Sequence, residues 1–327
     1  MPATFWLSTG ARLHLGQLDL NGSLGRIYGG IGLALDQPRL ELEAWQANEV
    51  EITAPEEERK RIEKITSLYL QHYSLPGIAI RVARTLPAHS GLGSGTQLAL
   101  ALGLAVSRVY GLQLPLPELA GVTDRESSRS GLGVATFQQG GCVVDGGKPL
   151  NRQGDAGGPQ YYVPPLVARL PFPREWRVIL VLPYSPVRVS GSTEENKFRA
   201  LAPMDEHIAA SITRLVLLQL LPALAEKDLP AFGQAVTQIQ EYLGDYFTPV
   251  QGGRFATEEG TQVAKYLLSR RVTGVGQSSW GPTVYGFAPG DQADALIAEI
   301  RQFVDARTRV WTAAGINHGA SWGWRGQ

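Results

Sequence analysis

The stretch PAHSGLGSGTQ, Pro87–Gln97, is a glycine-rich loop that runs directly into the apolar segment Leu98–Tyr110. Small residues let backbone N–H groups converge, and the amino end of a helix carries orphan donors and a partial positive charge. The loop therefore predicts a phosphate site, formed by Ser90, Gly91, Gly93, Ser94, Gly95 and Thr96. Ser94 and Gln97 also have the spacing of a capping box. A tight helix entry without any ligand is the alternative.

Two common nucleotide loops do not fit this stretch. It lacks the spacing of the dinucleotide-binding fingerprint and the acidic residue about 20 positions later, and no GK[ST] sequence is present.

Composition narrows the class of protein. The chain has 327 residues, of which 43% are hydrophobic and 18% charged, so we expect about two globular domains. Its 30 basic and 30 acidic residues cancel, which argues against nucleic-acid partners. Cys142 is the single cysteine, so no intrachain disulfide can form. The first 16 residues lack a signal-peptide pattern, and the run Leu98–Val106 is too short for a bilayer. We expect a cytoplasmic protein without membrane partners.

Strand and helix patterns are mixed without regular alternation, which favours an α+β fold over a doubly wound sheet. The Gly- and Pro-rich segment 146–165 predicts either a boundary between domains at residues 1–165 and 166–327 or a long surface excursion. Predicted strands are Thr4–Leu15, Ile31–Leu35, Leu40–Ala44, Val50–Thr53, Ile78–Ala83, Phe137–Val144, Arg177–Leu182, Val284–Phe287 and Val310–Ala313. Predicted helices are Glu56–Tyr73, Leu98–Tyr110, Pro117–Ser127, Met204–Leu224, Leu229–Tyr242, Thr257–Ser269 and Gln292–Val304.

Three segments in order resemble the motifs of the GHMP kinases. They are the loop Pro87–Gln97, the segment ESSRSGLGVATFQQGG at Glu126–Gly141, and the segment GVGQSSWGPTVYGF at Gly274–Phe287. The resemblance implies a GHMP-kinase-like two-domain fold. Its first domain is related to the ribosomal S5 domain 2, and its C-terminal domain is ferredoxin-like.

The second motif departs from the kinases at one position. Gly133 stands where mevalonate-type kinases carry an aspartate that serves as base or charge stabiliser. Glu126 matches the family's Mg²⁺-binding glutamate, so the resemblance implies that Ser94 and Glu126 hold Mg²⁺. Gly95 replaces the second serine of the loop, and Thr96 could take over its contact.

The amino-terminal segments resemble a particular branch, the β-ribofuranosylaminobenzene 5'-phosphate synthase family. They are RLHLG at Arg12–Gly16, DLNG at Asp19–Gly22 and LGRIYGGIG at Leu24–Gly32. The resemblance implies transfer from 5-phosphoribosyl 1-diphosphate to 4-hydroxybenzoate or 4-aminobenzoate, with release of CO2 and diphosphate, in tetrahydromethanopterin biosynthesis.

Residues within these matched motifs are the candidates for the substrates. Arg12 and Arg26 are predicted to bind substrate, since arginine offers a bidentate fork to phosphate or carboxylate, although either could instead be a surface charge or form a structural ion pair. Tyr28 is predicted to bind substrate as part of an aromatic pocket. His14, Asp19 and Glu126 are the predicted catalytic residues; His14 could instead be a satisfied core histidine, and Asp19 could cap a turn. Further candidates for an anionic group are Lys148, Arg188 and Lys197, with Trp280 for an aromatic pocket.

Two other functions stay open from the sequence. A true GHMP kinase would use Mg-ATP, and Gly133 argues against it. A non-catalytic sensor would keep the loop and lose the chemistry. The sequence also leaves a homodimer, and the choice between hydroxy- and aminobenzoate, undecided.

Overall fold

A large sheet dominates the first half of the chain. The computed structural model describes residues 3–123, 131–150, 162–184 and 201–326. Within them, eight strands form one mainly antiparallel sheet whose central path runs β12-β1-β2-β4-β3. Strands β5 and β6 pair with β2, and β7 pairs with β5. The strands are β1 (Thr4–Asp19), β2 (Arg26–Trp45), β3 (Val50–Thr53), β4 (Ile78–Arg84), β5 (Cys142–Asp145), β6 (Lys148–Pro149), β7 (Leu166–Leu170) and β12 (Ser321–Arg325).

A second sheet of four antiparallel strands lies in the carboxy-terminal half. Its order is β11-β8-β10-β9. The strands are β8 (Trp176–Leu182), β9 (Thr273–Gln277), β10 (Val284–Pro289) and β11 (Arg309–Ala313).

Helices cover both sheets. Those of the first half are α1 (Glu56–His72), α2 (Ser94–Val109), α3 (Leu116–Val122) and α4 (Leu132–Gln139). Those of the second half are α5 (Glu206–Leu215), α6 (Leu221–Glu226), α7 (Leu229–Gln251), α8 (Glu258–Ser269) and α9 (Ala293–Phe303), and the π-helical turn Val216–Leu220 joins α5 to α6. Helix α7 begins where the Asp228 side chain accepts a hydrogen bond from the Ala231 N–H, and Thr257 caps α8 in the same way through the Gly260 N–H.

One hydrophobic core cluster extends through both halves. It contains Leu13 and Leu33 from the first sheet as well as Phe232 and Phe287 from the second half. Phe172, Trp176, Phe232 and Phe287 pack as a cluster of rings with centroids 5.1–6.2 Å apart.

The α+β fold is confirmed, and two sequence-based assignments need correction. The predicted strand at Phe137–Val144 is wrong in its first part, because α4 continues to Gln139 and β5 begins only at Cys142. Gly140 and Gly141, both at positive φ, separate the two elements. The two short strands predicted between residues 31 and 44 belong to the single strand β2.

The helical segment Glu206–Glu226 is long and apolar enough to cross a bilayer by length and composition, with a mean hydropathy of 1.8. A third of that window is buried inside the protein, where Ile212 and Leu220 join the core. Core helices of soluble proteins pass the same test.

Candidate functional site

The glycine-rich loop ends at the amino terminus of α2. Gly93 is the N-cap with φ at +74°, and Ser94 is the first helical residue. No side chain caps this end, so the predicted capping box between Ser94 and Gln97 is wrong. Gln97 instead donates from Nε2 to the Gly133 carbonyl and accepts through Oε1 from Thr9 Oγ1. The first backbone N–H groups of α2 consequently depend on a partner from outside the helix.

The loop is held against the turn that follows β9. Ser278 is fully buried, and its Oγ donates to the Gly91 carbonyl at 2.8 Å and accepts from the His14 N–H at 3.0 Å. Gly91 lies so close to this turn that a Cβ atom there would come within 2.1 Å of the Ser278 carbonyl oxygen. On the other side, the Arg12 N–H donates to the Leu92 carbonyl at 3.0 Å. The phosphate loop, the segment Arg12–Gly16 and the segment Gly274–Phe287 therefore meet at one place.

A second helix end lies beside the first. A Cβ atom at Gly133, in the first turn of α4, would lie 2.6 Å from Thr96 Cγ2. The amino ends of α2 and α4 are therefore adjacent, and both direct positive partial charge to the same region. The first turn of α2 carries no acidic residue, so no carboxylate from its own sequence neutralises it. This geometry suits an anion with several oxygens.

A buried carboxylate lies near the amino end of α4. Asp145, at the end of β5, is fully buried, and its Oδ1 accepts from the Gly147 N–H at 2.8 Å. Burial raises the pKa of Asp145 to about 6, against the opposing effects of the Gly147, Gly131 and Leu132 N–H groups and the Arg12 charge. Asp145 thus brings negative charge to α4, while α2 keeps its positive end for a ligand.

His14 is neutral over the physiological range. Burial, aided by the charge of Arg12, lowers the pKa of its imidazole to about 3. The ring Nδ1 accepts from the Gly16 N–H at 3.2 Å, so the remaining nitrogen, Nε2, carries the proton and can donate. A group with so low a pKa is a poor base near neutral pH, so the geometry favours a positioning role for His14.

Asp19 forms a turn. Its Oδ1 accepts from the N–H groups of Asn21 at 2.6 Å and Gly22 at 2.9 Å. Asn21 in turn donates from Nδ2 to the Met204 carbonyl at 2.6 Å. The sequence left Asp19 either a catalytic residue or a turn cap, and these hydrogen bonds are those of a turn cap.

Arg26 is exposed, but its guanidinium is engaged within the protein. Nε donates to the Gly146 carbonyl at 2.8 Å, and one terminal nitrogen donates to the Gly147 carbonyl and the Tyr162 hydroxyl. These bonds hold the turn between β5 and β6. The Arg26 side chain thus holds this turn in place and also contacts Tyr162.

Comparison with known proteins identifies the family. The models for the N-terminal and C-terminal domains of the GHMP kinases match residues 60–141 and 220–306. The chain is 35% identical to the β-ribofuranosylphenol 5'-phosphate synthase of Methanothermobacter thermautotrophicus, over 96% of this chain and 97% of that protein. It is 37% identical to the synthase of that name from Archaeoglobus fulgidus, over 85% and 86% of the two chains. The chain belongs to this synthase family.

Solved structures of enzymes with other names have the same fold. A homoserine kinase from Cytophaga hutchinsonii superposes with a TM-score of 0.66 at 16% identity, over 98% of both chains. A mevalonate diphosphate decarboxylase from Staphylococcus aureus gives 0.65 at 14% identity, also over 98% of both chains. At these identities the likeness establishes the GHMP fold alone.

The structure brings the loop and two of the other predicted residues together. The loop residues Gly91, Gly93, Ser94 and Thr96 lie beside Arg12 and His14, because a Cβ atom at Gly93 would lie 3.3 Å from Arg12 Nε. Ser90 is buried and donates from Oγ to the Pro87 carbonyl, so its hydroxyl holds the loop. Glu126, Arg188 and Lys197 lie outside the described residues.

Sequence reasoning did not single out Asp145 or Ser278. Asp145 follows an apolar strand and has no local signal beyond its charge. Ser278 lies within the third matched segment, GVGQSSWGPTVYGF, so its position was recognised although its role was not.

Proposed function

We propose that this protein transfers the phosphoribosyl group of 5-phosphoribosyl 1-diphosphate to the ring of 4-hydroxybenzoate, with loss of CO2 and diphosphate. The identity of about a third to relatives named β-ribofuranosylphenol 5'-phosphate synthase, over nearly the whole chain, carries this proposal. The product in that name is a phenol, which supports the hydroxybenzoate over the aminobenzoate. The reaction belongs to methanopterin biosynthesis, and we place the enzyme in the cytoplasm.

The loop and the amino end of α2 suit the diphosphate leaving group. Their N–H groups are oriented before any ligand binds, so they can stabilise negative charge as the bond to ribose C1 breaks. Arg12, behind Gly93, adds positive charge to this region. In the transfer, the ring carbon that bears the carboxylate bonds to C1 and diphosphate leaves with the electron pair. The bond to CO2 then breaks, and its pair restores the aromatic ring.

We expect a Mg²⁺ ion beside the diphosphate. Magnesium usually keeps several waters and takes one or two carboxylates together with substrate phosphates. Ser94, whose hydroxyl takes no part in capping α2, and Glu126 would hold it. Among the described residues no three His, Cys, Asp or Glu side chains form a metal cluster, so diphosphate and water would supply the remaining ligands. Bound there, the ion would neutralise charge on the diphosphate.

The proposal is tested with carboxyl-labelled 4-hydroxybenzoate. Labelled CO2 should appear only with 5-phosphoribosyl 1-diphosphate and Mg²⁺, and ATP should not replace the donor. Ser94→Ala should weaken Mg-dependent donor binding about 10- to 100-fold, the effect of losing a bond to a charged group. Glu126→Ala should lower both donor binding and CO2 release. Ser269→Ala, an exposed serine on α8, is the control.

Two outcomes would contradict the proposal. ATP-dependent phosphorylation of an alcohol without CO2 release would indicate a kinase. Tight donor binding with no turnover of either aromatic acid would indicate a sensor.

A further inference from the structure

Strand β1 contains a bulge at the residue that follows His14. His14 is opposite Gly32 in β2 whereas Gly16 is opposite Ile31, so Leu15 is an extra residue in the ladder. Gly16 has φ at +147°, which favours glycine. Its N–H donates to His14 Nδ1 at 3.2 Å. The shape of the bulge therefore decides which nitrogen of His14 carries the proton.

Helix α7 packs directly against this bulge. A Cβ atom at Gly16 would lie 2.8 Å from Leu243 Cδ1 and 2.9 Å from Ile239 Cγ2. The half-buried Gln240 side chain, from the same part of α7, donates from Nε2 to the Leu15 carbonyl at 2.8 Å. The carbonyl of the extra residue thus finds its hydrogen-bond partner on the helix.

The same side-chain amide also reaches β9. This strand is at the edge of the second sheet, and the Gln277 N–H donates to Gln240 Oε1 at 2.8 Å. Gly276 permits the close approach, because a Cβ atom there would lie 2.6 Å from Gln240 Oε1. One partner takes a proton from the amide and the other gives one, so together they fix its orientation.

These hydrogen bonds close a circuit through the anchor of the phosphate loop. Leu15 follows His14, whose N–H donates to Ser278 Oγ, and Gln277 directly precedes Ser278. The hydroxyl of Ser278 continues to the phosphate loop. We call these five residues, from Gln240 to Ser278, the Gln240 circuit. A carboxamide suits its closing position because a carboxylate only accepts and an ammonium group only donates.

We propose that Gln240 is a positioning residue, which holds the bulge of β1 and the turn after β9 together and so sets the His14 imidazole and the phosphate loop in one arrangement. Its kinetic effect rests on the proposed function, whereas its effect on His14 belongs to the free protein. Gln240 acts through Leu15 and Gln277. Without the amide, both backbone groups lose a partner, and the bulge and the turn can shift separately.

The spectroscopic test uses 15N-labelled histidine in the free protein. The His14 signals, identified by their loss in His14→Gln, should show the proton on Nε2 in wild type. Gln240→Met keeps the length of the side chain and removes both bonds, so it should move these signals towards a mixture of tautomers. Gln240→Glu can still accept from the Gln277 N–H but cannot donate to the Leu15 carbonyl, and it should have the same effect.

The kinetic test measures the donor. Gln240→Met should raise KM for 5-phosphoribosyl 1-diphosphate about 3- to 10-fold, as expected for the loss of a neutral hydrogen bond, with a smaller change in kcat. Combining Gln240→Met with Ser278→Ala should raise KM no further than Ser278→Ala alone, because both changes break the same circuit.

Gln219→Met is the matched control. Gln219 also donates from its amide to a backbone carbonyl, that of Ala231, but it lies on the π-helical turn Val216–Leu220. This variant should leave the His14 signals and the donor KM unchanged. Unchanged His14 signals in Gln240→Met, or a donor KM equal to that of the control, would overturn the proposal. Altered His14 signals in a protein that releases no CO2 would contradict the proposed function alone.

Discussion

A side chain at position 133 would collide with Thr96, since a Cβ atom there lies within 2.6 Å of the threonine methyl group. The aspartate that the resemblance assigns to mevalonate-type kinases therefore has room in this chain only if the Thr96 side chain rotates or α2 and α4 move apart. The absence of a carboxylate at this position is thus coupled to how closely the two helix ends approach.

We expect Gly133→Asp to lower the free energy of unfolding by about 1–3 kcal/mol, the usual effect of overpacking, and to create no kinase activity. Gly133→Ala should destabilise for the same reason. The double variant that combines Gly133→Ala with Thr96→Ser, which removes the nearest methyl group, should recover part of the lost stability. Urea denaturation of the three variants measures this, and unchanged stability in Gly133→Ala would show that the helices separate freely.

His14 should make stability depend on pH. Its folded pKa is about 3, whereas an unfolded histidine titrates near 6.5. The unfolded chain therefore binds a proton that the folded chain does not, and the contribution of His14 is lost as the pH falls from about 6.5 towards 3. Asp145, with a raised pKa, contributes in the opposite direction below pH 6.

His14→Gln should reduce this acid sensitivity. The unfolding free energy, measured by urea denaturation between pH 7 and pH 4, should fall less steeply in the variant than in wild type. Asp145 is present in both proteins, so its contribution cancels in the comparison. His207→Gln, an exposed residue on α5, controls for the loss of a histidine. Identical slopes for wild type and His14→Gln would contradict the neutral, buried imidazole.

At the scale of elements, the Ser278 hydroxyl connects three parts of the fold. Ser278 connects the turn after β9 to β1 through the His14 N–H and to the phosphate loop through the Gly91 carbonyl. Both partners are backbone groups, so an alanine at this position would leave two polar groups unpaired in the interior.

Ser278→Ala should raise KM for 5-phosphoribosyl 1-diphosphate more than it lowers kcat, because the loop that binds the donor loses its anchor. Ser107→Ala is the matched control: Ser107 is also fully buried and accepts from the Leu114 N–H, but it lies near the carboxy end of α2, the end away from the loop. We expect both variants to lose about 1–3 kcal/mol of stability. A similar KM in both would mean that Ser278 has only a structural role.

The sequence predicted elements well where a short alternating pattern or a glycine-rich stretch is sufficient to define them. Val50–Thr53 matches β3 residue for residue, and the loop before α2 was found from its composition. Prediction from the sequence failed where contacts between distant parts of the chain determine the secondary structure. Residues 137–139 were predicted as the start of a strand, yet they complete α4, and β12 was not predicted because it exists only by pairing with β1. Lys148 was recognised as a candidate cation, but only the fold puts it over Tyr28.

At the scale of the molecule, the shared core predicts joint unfolding of the two halves. Phe232 is fully buried in the cluster that also holds residues of the first sheet. Calorimetry should therefore show one transition. Phe232→Ala should destabilise by about 3–5 kcal/mol and move the whole transition to lower temperature, while Phe303→Ala, 45% exposed, should leave it in place. Two resolved transitions would show that the halves unfold separately.

The pairing of β1 with β12 also has a consequence for biosynthesis. Thr4 is opposite Arg325 and Ser8 is opposite Ser321, so β1 acquires its outer neighbour from residues translated about 300 positions later. At roughly 5–20 residues per second, that interval lasts on the order of tens of seconds. Throughout it, Phe5 lacks the covering rings of Trp322 and Trp324, and the nascent polypeptide presents an open strand edge to chaperones.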